Sequence, residues 1–177
     1  MKSKILIAAL CLIFMAACKS EKQKLTDRIA SVEKELRNDT TGVMNYKKAA
    51  EVIKLYEDFA ARFPEDSMSA KYLFNAADVS AHSHNVLHSV ELYKKVIEKY
   101  PQSKYVPQCW FFIGFLNENE LKNIAEAHKA YTTLLEKFPN YEQKETVQWL
   151  LKNLGKSDEE LVKQFEANQQ QGDSVGN

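Results

Sequence analysis

Apolar residues recur at helical spacing through most of this chain, and one fifteen-residue pattern occurs three times. Residues 50–64 read AEVIKLYEDFAARFP, residues 87–101 LHSVELYKKVIEKYP and residues 125–139 AEAHKAYTTLLEKFP. Each copy carries a tyrosine seven residues before a closing aromatic, as Tyr56/Phe63, Tyr93/Tyr100 and Tyr131/Phe138. Seven residues is two helical turns, so both rings share a face. Phe59, Val96 and Leu134, three residues after each tyrosine, complete an apolar stripe suited to packing on a neighbouring helix. The closing aromatic precedes Pro64, Pro101 or Pro139, and a proline disfavours helical geometry in the residue before it, so each helix stops there. Those prolines are almost evenly spaced, with a period in the upper thirties. A fixed period of that length, closed by a proline, predicts an all-α solenoid whose units cannot bury their apolar faces alone.

The remaining helices follow from the same periodicity. Leu25, Ile29, Val32 and Leu36 form a seam on residues 23–37, which can zip against a second copy as a short coiled coil or lie on the first repeat. Asn38–Gly42 breaks the pattern, and the first repeated helix is expected from Asn45 to Phe63. A helix from Ala70 to about Ala81, capped within Glu65–Ser67, leads through His82–Asn85 into a helix from Val86 to Tyr100. A unit opening at Ser103 tolerates Pro107 in its first turn and carries Trp110–Leu116, the most apolar stretch after the leader, with Asn117–Asn123 as the turn into Ile124. Val147, Leu150, Leu151 and Leu154 line one face of 142–154, and Gly155 closes that helix. Ser157-Asp158-Glu159-Glu160 reads as a capping box before a last covering helix, and residues 168–177 are too polar to fold.

The segment Met1–Ala17 is of another kind. Lys2 and Lys4 precede Ile5–Ala17, thirteen uncharged residues, too few to span a bilayer, which needs about 17–25. A hydrophilic run follows at once, as after a signal peptide. Without that leader, 22 Lys and Arg face 24 Asp and Glu, a formal charge of −2. That balance lacks the net basic surface that nucleic-acid binding requires. Met15-Ala16-Ala17-Cys18 resembles the lipobox of bacterial lipoproteins, in which small residues precede a cysteine that becomes the acylated mature N-terminus. The resemblance implies lipidation of Cys18, and Lys19 in place of the inner-membrane retention aspartate implies the outer membrane, periplasmic side. Buried methylenes of the acyl chains at about 0.8 kcal/mol each would make such a tether nearly permanent.

Trp110 and Gly114, Ala127 and Tyr131, then Leu134 and Pro139, resemble a tetratricopeptide repeat, and Leu73/Ala77, Ser89/Tyr93, Val96 and Pro101 repeat the frame less faithfully. The likeness covers residues 45–154 and departs in the first unit, where Leu36 and Thr40 hold the corresponding places. Tyr100-Pro101-Gln102-Ser103-Lys104-Tyr105 is similar to repeats of the periplasmic BamD/YbgF-type group of tetratricopeptide lipoproteins and coordinators. The resemblance implies a right-handed superhelix of three to four helix pairs with an inner groove, and non-catalytic scaffolding between envelope proteins. The expected organisation is a leader at 1–17, a tether at 18–22, an N-terminal helix and loop at 23–44, a repeat domain with its covering helix at 45–167, and a tail at 168–177.

In that frame Lys71, Phe74, Asn75, Asp78, Phe111, Phe115 and Trp149 face the groove, where aromatics with a polar edge would receive a peptide or partner helix. Phe74 and Asp78 stand where chaperone-tail clamps carry basic residues, which argues against that partner. Other chemistry is thin. His84 and His88 would share a face only on a continuous helix, which Asn85 interrupts, and neither they nor His82 and His128 fit a zinc spacing. Cys109 has no catalytic neighbours and reads as a buried thiol, and Cys11, Cys18 and Cys109 supply no disulfide framework. With no phosphate loop, nucleophile elbow or HExxH, the chain is expected to have no catalytic activity, cofactor or metal.

Overall fold

The computed structural model describes residues 21–38, 44–157 and 159–163. The leader, Cys18, all of the Asn38–Gly42 breaker but Asn38, and the tail fall outside the described residues. What is described is all helical: residues 21–37 (α1), Tyr46–Arg62 (α2), Ser69–His82 (α3), Val86–Lys99 (α4), Val106–Asn119 (α5), Ile124–Lys137 (α6), Lys144–Asn153 (α7) and a final run at 159–163. The chain divides into two compact units, Met1–Cys109 and Trp110–Asn177, the division falling within α5.

The aromatic–proline stops behave alike at all three sites. Phe63, Tyr100 and Phe138 take φ/ψ of −127/58°, −129/57° and −131/66°, outside the helical region, while their N–H groups still bond to Phe59, Val96 and Leu134 four residues back. Their carbonyls then accept from the N–H of Asp66, Ser103 and Tyr141 at 2.9–3.0 Å. A second turn follows in each copy, from the N–H of Ser69, Val106 and Lys144 to the carbonyls of those same three residues. Thus the repeat read from side chains extends to the backbone hydrogen bonds.

Starts are less uniform. Asn45 and Asn123 accept from the N–H groups of Lys48 and Glu126, satisfying donors that a helix leaves orphaned, whereas Asn85 occupies the equivalent place without a side-chain capping bond. The cap expected for α3 acts earlier: the Asp66 carboxylate accepts from the Met68 N–H at 2.9 Å, and Met68 itself precedes the helix. The expected turn at Asn117–Asn123 is shorter than the sequence suggests. Asn117 is buried and donates its amide to the Ile113 carbonyl, so α5 runs on to Asn119. His84 and Lys122 end the turns after α3 and α5 with positive φ, in the left-handed region that usually takes glycine. Ser157 and Glu160 form the reciprocal pair of a capping box, each bonding to the other's backbone N–H.

In the first unit α3 packs on both α2 and α4. Tyr72 anchors the α2–α3 contact, stacked on Tyr56 with centroids 5.2 Å apart and edge-on to Phe59 at 4.7 Å. The seam on α1 is buried within the chain: Leu25, Ile29 and Val32 all belong to the core. Ion pairs set its direction. Glu21 pairs with Arg62, Lys22 with Asp66, Arg28 with Glu51 and Glu35 with Lys48, an opposite order along the two helices that makes α1 antiparallel to α2. Buried at the same contact, Tyr56 donates to Glu33 at 2.6 Å.

In the second unit Ala127, Tyr131, Leu134 and Val147 form a buried cluster, with Trp110, Phe111 and Leu150 among the residues packed around it. Gly114 lets α5 approach α6. A β-carbon there would sit 2.4 Å from the Tyr131 ring, whose hydroxyl donates to Glu118.

These contacts can be tested by substitution and by acid. Gly114→Ala gains helix propensity but must displace a buried tyrosine, so a net loss of about 1–2 kcal/mol is expected in urea unfolding; unchanged stability would contradict the close approach. The acid test concerns α1. Hydrogen bonds from Lys48 to Glu35 and from Arg28 to Glu51 hold both carboxyls below their usual range. For Asp66, burial pushes upward, but the Lys22 ammonium and the Met68 N–H outweigh it. Carboxyls with depressed folded values favour the docked helix above the unfolded carboxylate range, and that contribution disappears as pH falls through the depressed values. Amides of 21–37 are therefore expected to lose hydrogen-exchange protection on acidification before those of α3, and simultaneous loss would show that the ion pairs do not hold α1.

Candidate functional site

The seven residues expected on a groove divide between the units. On α3, Lys71, Asn75, Asp78 and His82 follow one another at helical spacing. Lys71 is exposed and Asp78 half-buried, and the His82 ring donates from Nδ1 to the Asp78 carbonyl at 2.8 Å. Asn75 instead turns toward the first helix pair, against the Tyr56 hydroxyl. Phe74 stacks on Tyr105, centroids 5.0 Å apart and planes 26° from parallel, and tilts against Tyr93 at 5.5 Å. Such pairs contribute about 0.5–1.5 kcal/mol beyond the area they bury. Phe74 and Asn75 therefore act in packing.

In the second unit Phe111 lies 6.4 Å from both Tyr131 and Tyr141 and packs on the buried cluster. It also stacks on Phe115, which is 41% exposed. Trp149 on α7 is 55% exposed. A tryptophan half in water forfeits much of the roughly 25 cal/mol per Å² that burial would return, so the fold draws little stability from it. Phe115 and Trp149 are free to meet another molecule. Trp110, from the same apolar run, is half-buried with the Lys137 ammonium 5.8 Å above its ring.

The titratable groups do not converge. His84 lies in the α3–α4 turn and His88 in the first turn of α4. His88 is half-buried, with Nε2 3.3 Å from a Glu57 carboxylate oxygen and Nδ1 3.7 Å from one of Glu91. Among the described residues no group of three or more histidine, cysteine or acidic side chains could hold a metal. Cys109 is wholly buried, and burial pushes its thiol up, opposite to the shift that makes a cysteine nucleophilic. Burial likewise raises Tyr56, Tyr93 and Tyr131, with Glu33 and Glu118 adding to the shift in the first and last.

The first unit also holds a cleft that the sequence does not announce. The turn after α2 and the turn after α4 enclose an open space of about 600 Å³, lined by Pro64–Ser67, Ala70 and Lys99–Ser103. The two Tyr/Phe-Pro pairs are its visible signal, but their juxtaposition needs the α2–α3–α4 packing. No described helix is long and apolar enough to cross a membrane. No family model matches the chain, and no curated protein matches it.

Packing and exposed aromatics are separable by mutation. Phe111→Ala is expected to lower stability by about 2 kcal/mol or more. Phe115→Ala and Trp149→Ala should each stay within about 1 kcal/mol of the parent in the same urea titration. Equal losses at all three positions would make Phe115 and Trp149 structural.

Proposed function

We propose that this protein is a non-catalytic scaffold: a right-handed tetratricopeptide-type solenoid, lipid-anchored through Cys18 to the outer membrane and facing the periplasm. Its partner is another envelope protein or a peptide segment, and its role is that of an adaptor in envelope or outer-membrane-protein assembly. The observation that carries the reading is the exposure of Phe115 and Trp149 in a chain of similar-length helices. Aromatic side chains left in water by an otherwise well-filled core are the anchors that interfaces use. Gly114 beneath Tyr131, and three turns with one hydrogen-bond scheme, support the repeat assignment. The anchor reading rests on Met15–Cys18 and the charge-free run before it.

A homo-oligomer zipped through residues 23–37 is the alternative. It would have to undock a seam that α1 buries within its own chain and break the α1–α2 ion pairs. Light scattering on a soluble Cys18→Ser form measures it directly, a dimer at tens of micromolar favouring the alternative.

In-cell photocrosslinking tests the scaffold. A photoreactive residue at 115 or 149 is expected to capture a discrete envelope protein, and the same residue at exposed Lys54 is expected not to. Cys18→Ser should move the protein from the membrane to the soluble fraction. Capture that does not depend on position would sink the binding role, and a membrane-bound Cys18→Ser form would sink the anchor.

A further inference from the structure

The placement of α1 determines where a tether would leave the first unit. Glu21 pairs with Arg62 at the C-terminal end of α2, and Lys22 pairs with Asp66 in the turn that follows. Asp66 also lines the cleft between the two proline turns. Residue 18 lies three residues before Glu21, a span of at most about 10 Å of extended chain. A bilayer of about 40–45 Å with a 30 Å hydrocarbon core leaves roughly 5–8 Å of headgroups on each side. A lipid attached at residue 18 therefore brings the proline-turn end of this unit to the headgroup layer. The opposite end, with exposed Leu87 in the first turn of α4, lies farther out by the length of that helix, which rises about 1.5 Å per residue.

The chemistry of the near end matches that setting. Lys99 and Glu65 are both exposed on the cleft wall, one suited to a phosphate and the other to an ammonium. Gln102 is exposed beside them, and the half-buried Tyr100 lines the cleft with its hydroxyl buried. We infer that the proline-turn face of the first unit rests on the bilayer that holds the anchor, its cleft receiving zwitterionic phosphoethanolamine-type headgroups. The inference rests on the anchor at Cys18 and adds which face of the unit meets the lipid. The unit is then held at two points, an acyl chain and a headgroup cleft, and cannot turn freely about its tether.

The test uses the full chain as cells process it, in vesicles of phosphatidylethanolamine with phosphatidylglycerol as minor component. Nitroxide labels are placed at Gln102→Cys or, separately, Leu87→Cys, with Cys109 buried and Cys18 blocked by its acyl group. Collision with a water-soluble nickel chelate is expected to be several-fold weaker at 102 than at 87. Equal or reversed accessibility in protein whose acylation has been confirmed overturns the inference and leaves the anchor standing. An N-terminal peptide whose mass shows an unmodified Cys18 overturns the anchor, and the inference with it. Lys99→Glu should raise nickel accessibility at 102 toward the value at 87. No change on that substitution overturns the assignment of headgroups to the cleft.

Discussion

Three residues in this chain are turned away from helical geometry by the proline that follows each, and much else depends on that local preference. Phe63, Tyr100 and Phe138 stop α2, α4 and α6 at the same backbone geometry and begin the same double turn. The stop falls one residue beyond the last helical turn, which leaves the tyrosine seven residues earlier well inside the helix and facing its neighbours. Tyr56, Tyr93 and Tyr131 are buried, and the hydroxyls of the first and last bond to Glu33 and Glu118 on other helices. A short-range steric rule thus sets the register of the longer-range contacts.

Two kinds of attachment hold the helices. α2, α3 and α4 meet through aromatic and small side chains, where Tyr72 between Tyr56 and Phe59 gives the contact its geometry. The first helix adds a charged border to its apolar seam, and that border specifies direction more than strength, since exposed ion pairs contribute little once screened by salt. An antiparallel α1 puts its first residues beside the turn after α2. In the opposite orientation the same apolar seam would leave those residues at the far end of the unit.

Function divides along the same line. The buried thiol and the raised tyrosines are consequences of packing. Phe115 and Trp149 contribute little to the core and lie open. The proposed binding role would use those two exposed rings.

The all-helical character, the helix positions and the buried tyrosines were legible in the chain, because a 3.6-residue period and an X-Pro stop act within a few residues of sequence. Cys109 as a buried thiol was legible too. Several finer features were not. Asn117 reads as a turn residue until burial turns its amide onto the Ile113 carbonyl and lengthens α5. Phe74 and Phe111 carry the same helical spacing whether they face solvent or a neighbour, and only the placement of Tyr105, Tyr131 and Tyr141 decides it. The direction of α1 and the cleft between two turns one repeat apart likewise belong to the tertiary structure. Periodicity determines which side of a helix is apolar; what meets that side depends on contacts between residues far apart in the chain, and no local pattern encodes those.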